Sequence, residues 1–115
     1  MYSPLVVIES PYAGETPAEA ERNIAYARAA LADSPSRGKA PHASHLLFTQ
    51  PGVLDDTNPD ERRLGMEAGF AWGSAADFVA VYADLGISPG MKAGIQRAER
   101  RKQTLVRRSI PGWSK

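Results

Sequence analysis

Asp77-Phe78-Val79-Ala80-Val81-Tyr82-Ala83-Asp84 is the stretch that decides the fold. From Phe78 to Ala83 it is apolar without a break and rich in β-branched and aromatic residues. An unbroken run, rather than an alternating one, marks a strand covered on both faces, as in the middle of a parallel sheet. Downstream, Ser88-Pro89-Gly90 has the cap-then-proline form of a helix start, with Met91, Ile95 and Ala98 on one face. Thr104-Leu105-Val106 reads as a short last strand, and Ile110-Pro111-Gly112-Trp113 as a tail.

Working upstream, Asn58-Pro59-Asp60-Glu61 opens a helix whose expected apolar face is Leu64, Ala68, Ala71 and Trp72. His45-Leu46-Leu47-Phe48-Thr49 reads as a strand. Thr16-Pro17-Ala18-Glu19 starts another helix, with Ala20, Ile24, Ala27 and Leu31 as its stripe; Ser34-Pro35-Ser36-Arg37-Gly38 ends it. Pro4 to Ile8 is the first strand. The order β-α-β-α-β-α-β predicts an α/β, three-layer domain with a four-stranded parallel sheet, and right-handed crossovers favour the strand order 2-1-3-4. Residues 1–109 form a single domain in this reading, and 110–115 a C-terminal tail.

The 115 residues suit one domain with its own core, and 43% hydrophobic against 23% charged residues is a globular balance. There is no cysteine, which excludes disulfides, thiolate chemistry and sulfur-built zinc sites. No apolar run approaches the ~20 residues needed to span a bilayer. No basic-then-apolar leader precedes the first strand, so a cytoplasmic protein without membrane contact is expected. Residues 1–91 hold 6 Lys/Arg against 12 Asp/Glu, while 92–115 hold 8 against Glu99 alone. This basic end lacks interleaved aromatics and any nucleic-acid motif, so its expected partner is an acidic protein surface, its own or a second subunit's.

In open α/β sheets, ligands sit beyond the carboxyl ends of the strands where strand order reverses. That rule selects the loop Glu9 to Gly14 and the segment Asp84 to Met91, with Gln50 to Asn58 able to reach over the same crevice. The candidate ligand-binding residues are Glu9, Ser10, Tyr12 and Gly14 from the first loop and Gln50, Asp55 and Asp56 from the long one. Asp84, Ser88, Gly90 and Met91 complete the set. Tyr12 can stack on a planar base. The helix start at Ser88 offers unpaired N–H groups to a phosphate or a ribose hydroxyl, although neither GxGxxG nor a P-loop is present. His42 and His45 stand three apart with no third ligand near, so no metal site is expected. Ser44 and His45 would diverge on a strand and make a poor catalytic pair. Trp72 and Tyr82 fit the core pattern; Trp113 is expected to dock on a second subunit or on its own body.

Taken together, four stretches resemble the nucleoside 2-deoxyribosyltransferase superfamily with its small phage and bacterial relatives. Val7-Ile8-Glu9-Ser10-Pro11-Tyr12-Ala13-Gly14 is similar to that family's opening strand and loop, and Asp77 to Asp84 to its central strand. Ser88-Pro89-Gly90-Met91-Lys92-Ala93-Gly94-Ile95 resembles its later helix start, with Thr104-Leu105-Val106 as the closing strand. The resemblance implies a deoxyribosyltransferase-like (flavodoxin-like) sheet, a nucleotide-type ligand, no cofactor and a homo-oligomer. Family members cleave an N-glycosidic bond with a glutamate nucleophile where this chain has Gly94, and Glu99 lies about 7 Å further along the helix.

The expectation is therefore a binding protein without turnover, with Lys92 and Arg97 as candidate phosphate partners. It would act as a phage anti-defence sponge for an ADP-ribose-type or cyclic nucleotide immune signal. The alternative is an N-glycosidase or deoxyribosyltransferase that uses another carboxylate: Glu9, Glu67 or Asp84.

Overall fold

A computed structural model describes residues 3–115; the first two residues of the expected domain lie outside it. The elements are β1 (Leu5–Glu9), α1 (Pro17–Ser36), β2 (Ala40–His42), α2 (Ser44–Leu47), α3 (Pro59–Ala75), β3 (Phe78–Tyr82), α4 (Pro89–Arg100) and β4 (Thr104–Arg108). All the strand pairs are parallel and the sheet order is β2-β1-β3-β4. The order reverses between β1 and β3, as the sequence predicts.

Each long helix begins where the sequence places a cap. The Thr16 and Ser88 hydroxyls accept from the backbone N–H of Glu19 and Met91, and the Asn58 side chain accepts from those of Asp60 and Glu61. These caps satisfy N–H groups that a helix cannot satisfy itself. At the far end of α1, Gly38 takes a positive φ of 76°, which lets the chain turn directly into the edge strand.

Strand alternation sorts the core into two layers. Val6, Ile8, Ala80 and Tyr82 pack with Tyr26 and Ala30 of α1 on one side. Val7, Val79 and Val81 pack with Met91 and Ala98 of α4 on the other. In β1 and β3 the side that a residue faces is thus fixed by its parity, even positions towards α1 and odd positions towards α4.

Three expectations need correction. The second strand is Ala40–His42, paired with Leu5–Val7, whereas His45, Leu46 and Leu47 lie in the short helix α2. The run His45–Thr49 has no β-branched residue before Thr49, and its leucines favour helix. Pro41, which cannot donate to a ladder, is tolerated because β2 is an edge strand. The inward face of α3 is also rotated from the one expected. Gly69 and Gly73 are its buried positions, whereas Leu64 is 52% and Trp72 51% exposed. A Cβ at Gly69 would come within 2.5 Å of Ser44 Oγ, so glycine is what lets α2 and α3 approach so closely. Trp72 instead stacks on His42, with 4.7 Å between ring centroids.

The tail docks on its own domain. Trp113 lies 5.2 Å from Tyr26 between centroids, Arg22 sits over the indole, and the Ile110 N–H donates to Asp84 Oδ2 at 2.9 Å. Among the described residues, no helix is long and apolar enough to cross a membrane.

Candidate functional site

Beyond the carboxyl ends of β1 and β3, on the α4 side of the sheet, lies a cavity of about 280 Å³. That is near the lower end of the roughly 300–1,000 Å³ usual for small-molecule sites. Val7 and Glu9 form its floor. Tyr12 and Ala13 close one side, the α2 region gives Ser44, His45, Phe48 and Thr49, and Ser88 to Met91 bring the start of α4. The face of α3 that includes Glu61, Arg62, Met66 and Phe70 forms the remaining wall, and Leu54 and Asp56 reach over from the long loop. Phe48, Leu54, Met66, Phe70 and Met91 make the lining largely apolar, with a few polar groups converging on it.

Parity places Glu9 here. It is an odd position aligned with Val81, so its side chain leaves the sheet on the α4 side, beside Val7. Burial pushes its carboxyl up from the ordinary 4.5 to about 8, which leaves it protonated at neutral pH. A Cβ on Gly94 would stand 2.8 Å from Glu9 Oε1 and closer still to Oε2. The carboxyl therefore rests directly on the bare backbone of Gly94, the position where the resemblance implies a glutamate.

Beside it, Ser10 Oγ hydrogen-bonds His45 Nε2 at 2.8 Å, joining the first loop to α2. Burial, and secondarily the neighbouring His42, push the His45 imidazole down from 6.5 to about 4, so the ring is neutral. Tyr12 meets the same ring edge-on at 6.1 Å. At the rim, Arg62 reaches Asp56 at 3.4 Å. The Ser88 hydroxyl accepts from the Met91 N–H at 3.3 Å and retains its own proton for a further bond.

Of the sequence candidates, Glu9, Ser10, Tyr12, Asp56, Ser88, Gly90 and Met91 come together around the cavity. Gln50 and Asp55 line a shallower hollow next to it, which shares Tyr12, Leu54 and Asp56. Gly14 is packed against the first turn of α1, where a Cβ would meet Ala20 N at 2.7 Å. Asp84 does not line the cavity. It is an even position just beyond β3, and it accepts from the Tyr26 hydroxyl at 2.7 Å and from Ile110, pinning α1 and the tail. Glu67 is exposed on α3, turned away from the lining residues on either side of it. Lys92 is exposed and Arg97 stacks 4.1 Å from the Phe70 ring; neither lines the cavity.

Sequence reasoning passed over the α3 wall and the hydroxyl partner of His45. The i, i+3, i+4 set Glu61, Arg62, Gly65, Met66, Gly69 and Phe70 is a helical face, but its glycines hide it from an apolar-periodicity search. Among the described residues, no group of three or more His, Asp or Glu is placed to hold a metal ion.

A family model described as a domain of unknown function, DUF7768, matches residues 4–108. The chain belongs to that family. The match runs from the residue before β1 to the last residue of β4, so the cavity lies wholly within the DUF7768 domain and the Trp113 tail beyond it. No curated protein matches the chain.

Proposed function

We propose that this DUF7768 protein binds a nucleotide-derived small molecule in the cavity and releases it unchanged. The observation that carries the reading is Glu9. It is the carboxyl on the cavity floor, and burial keeps it neutral at pH 7. A glycosidic nucleophile has to be ionised to attack, whereas a neutral carboxyl offers one donor and one acceptor for recognition. The apolar walls suit a planar base, and most of the lining residues sit on strands and helices. In this role the protein is a sponge, and an ADP-ribose-type or cyclic nucleotide immune signal taken up by a phage protein is the ligand class proposed. Homo-oligomerisation belongs to the same proposal, with exposed Leu64 and Trp72 as apolar surface for a second copy to cover.

The test is to incubate the purified protein with a nucleotide panel, release the ligand by heat and analyse it by chromatography. Intact ligand recovered in proportion to protein is expected. Free base and sugar would instead support an N-glycosidase acting through Glu9, a second reading favoured by the contact between its carboxyl and Gly94. In that case the rate should climb with pH towards about 8 as Glu9 ionises. Light scattering at the 12.4 kDa monomer mass would remove the oligomer.

A further inference from the structure

We propose that Glu9 is the residue that anchors the ligand, that Gly94 is glycine in order to admit it, and that what it anchors is an uncharged hydrogen-bonding edge of a nucleoside rather than a phosphate. This rests on the binding reading above and adds which residue and which part of the ligand meet.

Three observations converge. The first is steric. Met91, Gly94 and Ala98 form the buried stripe of α4 against the sheet, and the Glu9 side chain fills the place a side chain at 94 would take. A Cβ at 94 would overlap the carboxyl where it now sits and displace it from its seat, so positions 9 and 94 are read as one unit.

The second is the carboxyl's isolation. Glu9 lines the cavity, yet among the described residues nothing donates to it or accepts from it. Every other acid near the site has such work. Asp56 reaches Arg62, and Glu61 accepts from the Asp55 N–H. A carboxyl that is largely shielded, faces the cavity and has no partner among the described residues is placed to exchange its remaining water contact for a ligand bond.

The third is charge. Glu9, Asp56 and Glu61 line the cavity against the single guanidinium of Arg62, which already faces Asp56. With Glu9 neutral, Asp56 and Glu61 still outnumber Arg62, so among the described lining residues no unpaired cation waits for a phosphate, whereas a sugar hydroxyl pair or the amino and ring-nitrogen edge of a base would match the donor and acceptor of the carboxyl.

Two measurements test the two halves separately. Thermal unfolding of wild type, Glu9→Ala, Gly94→Ala and the double variant needs no ligand. Gly94→Ala should give a midpoint change lower by a few degrees in the wild-type background than the same substitution gives once Glu9 is Ala; additive effects overturn the shared-space claim. The second uses adenosine, guanosine, cytidine and uridine and their 5′-monophosphates as probes in a thermal-shift and equilibrium-binding screen. Binding should weaken roughly tenfold to hundredfold in Glu9→Ala and be largely kept in Glu9→Gln, which retains a donor and an acceptor. No monophosphate should bind more tightly than its nucleoside. Undiminished binding by Glu9→Ala, or a gain from the phosphate, overturns the anchoring claim with the binding reading intact. Wild type that takes up none of the probes overturns the anchoring claim as made for nucleosides, and the four-variant comparison still decides the packing one.

Discussion

Replacing Glu9 with Gln converts the protonation argument into a stability measurement. In the unfolded chain the Glu9 carboxyl loses its proton near 4.5, and in the fold only near 8. Between those values the native state holds a proton that the unfolded state has released. The Glu9 contribution to native stability is therefore full below pH 4.5 and falls as pH rises, by about 1.4 kcal/mol per pH unit, levelling off above about 8. At pH 7 the accumulated loss is about 3 kcal/mol, a large share of a small domain's stability. Glutamine has the same shape and does not titrate, so its own burial cost is the same at every pH. The stability difference between Glu9→Gln and wild type should move by about 3 kcal/mol in the variant's favour between pH 4.5 and pH 7. His45 works in the opposite direction: its folded value of about 4 lies below 6.5, so its contribution is full above pH 6.5 and is lost as pH falls towards 4. His42, held low by burial, adds to that acid-side loss. The wild-type optimum therefore falls between pH 4.5 and 6.5, where the opposing slopes meet. Urea unfolding of both proteins at half-unit pH steps reads the effect directly. A difference that stays flat from pH 4.5 to 8 would mean that Glu9 is ionised in the fold, and the neutral-carboxyl argument for binding without turnover would go with it.

Two further perturbations probe the frame around the site. Trp113→Ala removes the packing on Tyr26 and loosens the segment whose Ile110 N–H donates to Asp84, so a loss of about 2 kcal/mol is expected by urea unfolding at unchanged oligomeric state. Gly69→Ala should cost about 1–3 kcal/mol, because the new methyl meets Ser44 Oγ; adding Ser44→Gly should recover most of it, and thermal unfolding of the pair checks the coupling.

The order of strands and helices was legible because each signal is local. Three cap-proline starts and two unbroken apolar strands do not depend on what packs against them, and α/β connection rules supply the sheet order. The elements that misled are those whose sequence needs a tertiary partner to be read. His45–Thr49 is apolar enough for a strand, yet the backbone partners of β1 fall to Ala40–His42, a segment containing a proline that only an edge position tolerates. The inward face of α3 lies about one residue's rotation from the expected Leu64-Ala68-Trp72 line, because it runs through Gly65, Gly69 and Gly73, which apolar periodicity does not mark. Close approach of α2 and α3 needs the absence of side chains, and Leu64 and Trp72 are left outside by the same geometry.

The two acids at the strand ends, Glu9 and Asp84, show how much of a site a sequence holds without displaying it. Both end apolar strands at the reversal point, and by position alone they are equivalent candidates. Register separates them. Glu9 pairs with Val81, and side chains at paired positions in a parallel sheet leave from the same face, so Glu9 shares the α4 side with Val79 and Val81. Asp84 has the parity of Ala80 and Tyr82 and turns to the α1 side, where the Tyr26 hydroxyl and the Ile110 N–H lie ready for it. The alternation is written in the sequence, but the register between β1 and β3 is not, and the register decides which acid meets the cavity. Once that is known, Gly94 reads as the space into which the carboxyl of β1 fits.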